Sequence, residues 1–148
     1  VAVQESDKVI DILLVEDDPG DELITREAFA DNKINNVLHV ARDGQEGLDF
    51  IYRRGAHSRA PRPDLILLDL NLPKYDGRQL LEKVKSDADL CDIPIVVLTT
   101  SSAQEDIVRS YKLHANAYVT KPVDLDQFIK AVRQIDDFFV RVVRLPRS

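Results

Sequence analysis

Residues Val9–Val15 read VIDILLV, and Glu16, Asp17, Asp18 and Pro19 follow without a gap. A near-continuous aliphatic and β-branched run of this length predicts a strand buried on both faces. Asp18 has the chemistry of a helix N-cap, and Pro19 that of a first helical residue. The strand therefore passes directly into a helix, predicted to run to about Asn32 with Leu23, Ile24 and Ala28 as its apolar contacts.

The same strand-then-helix pattern recurs along the chain. Asn36–Ala41 (NVLHVA) is a second predicted strand, and a helix follows over Gln45–Arg54 with Leu48 and Ile51 at helical spacing. Gly55–Pro63 is basic and proline-rich, which reads as a loop. Asp64–Leu68 (DLILL) is a third buried strand, ending at Asp69. After the turn-rich NLPKYDG of Asn71–Gly77, Arg78–Lys85 is helical, with Leu80, Leu81 and Val84 inward. Ile93–Leu98 (IPIVVL) is a fourth strand, running into Thr99-Thr100-Ser101-Ser102, and Ala103–Leu113 is a helix. Ala117–Thr120 (AYVT) is a short fifth strand closed by Lys121-Pro122, and Leu125 to about Arg144 is the last helix.

Apolar strands alternating with helices imply an α/β fold with a parallel sheet covered on both faces. Right-handed crossovers leave few topologies, and a five-stranded doubly wound sheet of order 2-1-3-4-5, flavodoxin-like with an extended C-terminal helix, fits best. Val1–Lys8 is polar and reads as a flexible tail. Residues 9–148 then form one domain, including a C-terminal helical extension over about 125–146.

Composition narrows the function. The 148 residues suit a single domain, leaving no room for a separate DNA-binding output domain. Twenty-six acids against twenty bases give a net charge of −6, which argues against sequence-independent nucleic-acid binding. No apolar run approaches the ~18 residues of a membrane helix. Residues Val1–Lys8 lack the pattern of a signal peptide. A single cysteine, Cys91, excludes an internal disulfide, and a reducing cytoplasm is the simplest home. His39, His57 and His114 stand apart from one another and read as ordinary structural histidines.

In such sheets ligands bind beyond the carboxyl ends of the strands. Here those ends carry Glu16-Asp17-Asp18, Asp69, Thr99-Thr100 and Lys121. Folding would gather three or four carboxylates, a hydroxyl and an ammonium into one cup. Clustered carboxylates repel unless a cation holds them. An all-oxygen set suits Mg²⁺, and the lack of His or Cys argues against zinc. A carboxylate can also attack phosphorus to give an aspartyl phosphate, a transfer that needs positioning and charge neutralisation. Singly, each residue has a plainer reading. An acidic tripeptide after a strand is more often a helix cap than a metal site, and an Asp ending a strand usually starts a turn. The conjunction at four strand ends carries the signal.

At this point the chain resembles the receiver domain of two-component response regulators. The motifs are LLVEDD (Leu13–Asp18), LILLDLNLPKYDG (Leu65–Gly77), VVLTT (Val96–Thr100) and AYVTKP (Ala117–Pro122), in matching order over roughly Ile10 to Val140. The resemblance implies that Asp69 is the phosphoacceptor. It implies that Asp17, Asp69 and the backbone carbonyl of Asn71 hold Mg²⁺, with Glu16 acting through a metal-bound water. Thr99 and Lys121 would contact the phosphoryl oxygens, and Tyr118 would be the aromatic switch that follows Thr99. The Lys121–Pro122 bond is expected to be cis. Leu72 stands where the family often has Met, a volume-conserving change. Thr100 stands where many members have Ala, so it and Asn71 are positions that could tune dephosphorylation.

The implied function is phosphotransfer from a sensor histidine kinase to Asp69, with a population shift in the contacts offered by the helix after the fourth strand, the fifth strand and the last helix. LNLPK (Leu70–Lys74), the basic insert near Gly55–Arg62, VVLTTS (Val96–Ser101) and FFVRVVRLP (Phe138–Pro146) look like the single-domain subgroup paired with phytochromes, whose members form homodimers. Phe128, Val132, Ile135, Phe139 and Val142 repeat at spacings of four and three, a coiled-coil-like seam. The first half of that stripe must pack on the sheet. A helix of about 20 residues spans roughly 30 Å, longer than this sheet needs. Phe138, Val142 and Leu145 would then form an exposed apolar patch and a dimer interface.

Three rivals fit less well. An aspartyl phosphohydrolase wants a second acid two residues after the nucleophile, where this chain has Asn71, so no enzyme is expected. A flavin module wants a phosphate-cradling loop, where this chain has Glu16-Asp17-Asp18. A phosphate-independent scaffold acting by dimerisation would have no need of Asp17, Asp69, Thr99 and Lys121 together.

Overall fold

A computed structural model describes residues 9–30, 35–70, 77–99 and 115–132. The described elements are β1 (Ile10–Val15), α1 (Pro19–Phe29), β2 (Asn36–Ala41), α2 (Gly44–Ile51), a 3-10 turn (Gly55–His57), β3 (Leu65–Asp69), α3 (Gly77–Lys85), β4 (Ile95–Thr99), β5 (Ala117–Thr120) and α4 (Leu125–Val132). All pairings are parallel and the strand order is β2-β1-β3-β4-β5, as expected. Every residue of β3 and β4 is buried, because helices cover both faces of the central strands.

Two cores result. Ile12, Leu14, Leu65, Leu67, Val96 and Leu98 meet Phe29 of α1 and Phe128 of α4 on one face. Their two phenyl rings pack edge to face at 4.9 Å. Leu13, Val15, Ile66, Leu68 and Val97 meet Leu48 of α2 and Leu80, Leu81 and Val84 of α3 on the other. At Gly47 a Cβ would lie 3.0 Å from the Leu80 side chain and 3.2 Å from Val15, so glycine lets α2 sit close to β1 and α3.

Some boundaries and one face differ from the sequence reading. β4 starts at Ile95, not Ile93. The Ile93 amide closes a turn onto the Leu90 carbonyl, and Pro94 has no amide to give; only its carbonyl reaches β3, at Ile66. α2 ends at Ile51, short of Arg54, as the chain turns through a positive φ at Arg53. Leu23 and Ile24 are not core contacts of α1: they are 56% and 39% exposed. The buried residues are Glu22, Thr25 and Phe29, with Ala28 packed beside them. Arg42 and Arg26 pair with the Glu22 carboxylate, which lets a charged residue occupy the inward face.

The expected N-terminal tail, the Ala103–Leu113 helix and the C-terminal extension lie outside the described residues, as do Asn71, Phe138, Val142 and Leu145. No helix among the described residues is long and apolar enough to cross a membrane.

Candidate phosphoryl and metal site

Register brings the acids together. Val15 pairs with Leu68, so the next residues along, Glu16 and Asp69, stand side by side at the carboxyl edge. Asp69 pairs with Leu98, and Leu98 with Val119, two residues before Lys121. Carboxylate oxygens of Glu16, Asp17 and Asp69 lie within 4.8 Å of one another. Glu16 and Asp69 are buried, while Asp17 is exposed at the mouth.

The acidic tripeptide divides its work. Asp18 is the N-cap of α1, its carboxylate accepting from the Gly20 amide at 2.8 Å, and Pro19 is the first helical residue. The Asp18 amide donates to Glu16 Oε2 at 3.3 Å. Capping thus consumes Asp18 alone.

Lys121 sits across the cup. Its Nζ donates to Asp69 Oδ2 at 2.9 Å and to Asp21 Oδ2 at 3.0 Å. It also lies 2.8 Å from Glu16 Oε1, an ion pair whose angles fall short of a hydrogen bond. Burial works against the ammonium, but the three carboxylates outweigh it and hold Lys121 above the usual lysine range. Burial pushes the Glu16 carboxyl up to about 8; the neighbouring Asp69 carboxyl adds to the rise and Lys121 opposes it. One ammonium faces several clustered acids here, and the all-oxygen donor set of Glu16, Asp17 and Asp69 fits a hard divalent ion rather than zinc.

Thr99 ends β4. Its Oγ1 is buried and has no hydrogen-bond partner among the described residues. Such a hydroxyl is costly to bury unless something uses it. Tyr118 is half-buried in β5, opposite Val97, and packs against the core under α2 and α3. Val97, Thr99 and Tyr118 lie on one side of the sheet by the two-residue period. Asp69 and Lys121 follow Leu67 and Val119 on the other. Thr99 therefore shares the Tyr118 side of the sheet and ends its strand at the same carboxyl edge as Asp69. The Lys121–Pro122 bond is cis, as expected.

Gly77 closes the floor. A Cβ there would come within 2.7 Å of the Asp69 carbonyl oxygen and 2.8 Å of Leu70 Cα. Only glycine lets α3 begin so near the end of β3.

The sequence reading missed Asp21. An acid in the first turn of a helix is common for reasons of the helix dipole, so nothing local marks it as a partner of Lys121, one hundred residues away. It also missed what His39 and His57 do: they face Asp11 at 2.9 Å and Glu46 at 3.2 Å.

The profile of the response regulator receiver domain matches residues 12–133. The chain is similar to response regulator Rcp1 of Synechocystis sp., with 44% identity over 137 residues, 93% of each chain. The crystal structure of the Mn²⁺-bound form of Rcp1 superposes with a TM-score of 0.72 at 43% identity, covering 93% of this chain and 99% of that one. The bacteriophytochrome response regulator AtBRR gives 0.84 at 40% identity, covering 95% and 99%. The phosphorylated cyanobacterial phytochrome response regulator RcpA gives 0.73 at 43% identity, covering 95% and 100%.

Proposed function

The chain belongs to the response regulator receiver family, and from that premise we propose that it is a phosphorylation-controlled switch taking a phosphoryl group on Asp69 from a sensor histidine kinase. The observation that carries this reading is the buried Asp69 carboxylate, 2.9 Å from the Lys121 ammonium where Glu16 and Asp17 converge. An Asp69 oxygen attacks the phosphorus of a phosphohistidine. The P–O bond forms as the P–N bond breaks, and the imidazole nitrogen keeps the electron pair. Glu16, Asp17 and Asp69, with the Asn71 carbonyl, would hold Mg²⁺, which neutralises charge on the transferring group. Lys121 supplies a second, fixed positive charge. The Thr99 hydroxyl, buried without a partner among the described residues, can donate to a phosphoryl oxygen, and its place on the Tyr118 side supports a route from the phosphate to the side of the sheet under α2 and α3.

The similarity to phytochrome response regulators supports a phytochrome-type kinase as the donor. The apolar repeat of the last helix supports a homodimer through it, with Phe138, Val142 and Leu145 at the contact. On this reading the protein works in the cytoplasm and turns over no substrate of its own. The test is intact mass after incubation with acetyl phosphate, with and without Mg²⁺. A Mg²⁺-dependent phosphoryl adduct is expected in the wild type and none in Asp69→Asn. No adduct in the wild type, with beryllofluoride also failing to bind, would leave the phosphate-independent scaffold in its place.

A further inference from the structure

We propose that Asp21 is a positioning residue for phosphoryl transfer, holding the Lys121 ammonium where it meets the group on Asp69; this rests on the reading of Asp69 as phosphoacceptor. A lysine side chain has four rotatable carbons, so its charge must be fixed by partners to be useful. Among the described residues Lys121 has three: Glu16, Asp21 and Asp69. Two of them are committed elsewhere. Glu16 faces the cation, and Asp69 gives up its carboxylate charge once an oxygen is bonded to phosphorus. Of these three, Asp21 alone belongs to neither the cation set nor the reacting pair, so it can keep hold of the ammonium throughout.

Its own placement is rigid. Asp21 sits in the first turn of α1, which begins at the Asp18 cap and Pro19. The next residue, Glu22, is tied to Arg42 of the β2–α2 connection and to Arg26. The first turn is thus pinned from both sides of β1, by Lys121 through Asp21 and by Arg42 through Glu22. Asp21 is 31% exposed in its side chain, so solvent screens its direct field on the site. Its influence runs through Lys121.

The alternative has the opposite sign. If Asp21 merely competed with the phosphoryl group for the ammonium, removing it would tighten phosphoryl binding. The experiment measures beryllofluoride affinity in saturating Mg²⁺ by calorimetry and ¹⁹F NMR. Wild type, Asp21→Ala and Asp21→Asn full-length proteins are compared, with Mg²⁺ affinity measured separately. Losing a hydrogen bond to a charged group predicts beryllofluoride binding about tenfold weaker in Asp21→Ala. Asp21→Asn, whose amide oxygen still accepts from Lys121, recovers most of the loss, and Mg²⁺ affinity stays within about threefold in both. A merely structural role would move both affinities together. Should Asp21→Ala fail to fold, Asp21→Ser is tolerated in a first helical turn and is too short to reach Lys121. Beryllofluoride affinity unchanged or tighter in the variant overturns this inference alone. A wild type that binds no beryllofluoride overturns it together with the proposed function.

Discussion

Glu16, Asp17, Asp18, Asp21 and Glu22 are five acids within seven residues, and each does something different. Asp18 caps a helix, Glu16 and Asp17 turn to Asp69, Asp21 holds Lys121, and Glu22 is buried against two arginines. Charge alone does not separate them; placement does. Glu22 yields a pH prediction. Its hydrogen bond to Arg42, opposed by burial and helped by Arg26, holds its carboxyl below the ordinary value of 4.5. The folded state therefore keeps Glu22 ionised at a pH where the unfolded chain already binds a proton. Stability from this group is present above 4.5 and is lost as pH falls through the depressed value. Glu22→Gln should flatten that part of the acid limb. Urea unfolding across acid pH checks it, and an unchanged slope would show that other carboxylates carry acid denaturation.

At the scale of elements, α1 is the instructive helix. Its sequence offers Leu23 and Ile24 as obvious core residues, yet the inward stripe is Glu22, Thr25 and Phe29. The spacing of three and four was present; an acid and a threonine concealed it. Thr25 Oγ1 satisfies itself on the Asp21 carbonyl at 2.9 Å, and Glu22 is satisfied by its arginines, so neither costs what an unpaired polar group would. Leu23→Ser should accordingly change stability by less than about 0.5 kcal/mol, the range of ordinary surface sites, as read by the urea midpoint. A loss of about 2 kcal/mol or more, the cost of emptying a core leucine site, would return Leu23 to the core. α3 shows the opposite case: Leu80, Leu81 and Val84 are apolar in sequence and buried in the fold. Its C-terminal Lys85 is fastened by carbonyls of Cys91 and Ile93 and by the Asn116 side chain, which also receives the Ile95 amide and so sets where β4 begins.

At the scale of the molecule, the parallel sheet is what makes a site. The carboxyl ends of β1, β3, β4 and β5 all point one way, so residues a hundred and more positions apart meet at one edge. α1 and α4 are joined over that sheet by the Phe29–Phe128 contact, and α4 leads toward the stripe proposed for self-association. Sedimentation equilibrium should report a dimer, and Val142→Glu with Leu145→Glu should shift it to monomer without lowering the unfolding midpoint. A monomer at all concentrations in the wild type would remove the dimer from the proposal.

Local patterning by itself determined the five strands, their parallel pairing and the identities of Glu16, Asp17, Asp69, Thr99 and Lys121 as strand-end residues. Strands buried on both faces must be apolar throughout, and chain order with right-handed crossovers leaves one economical sheet. Only the tertiary structure decided that Asp21 joins Lys121, that Glu22 rather than Leu23 turns inward, and that β4 waits until Ile95. Those outcomes depend on charges and carbonyls brought from distant parts of the chain: Lys121, Arg42 and the partners of Lys85 and Asn116. A polar group can be buried wherever such a partner arrives, and no local pattern records the arrival.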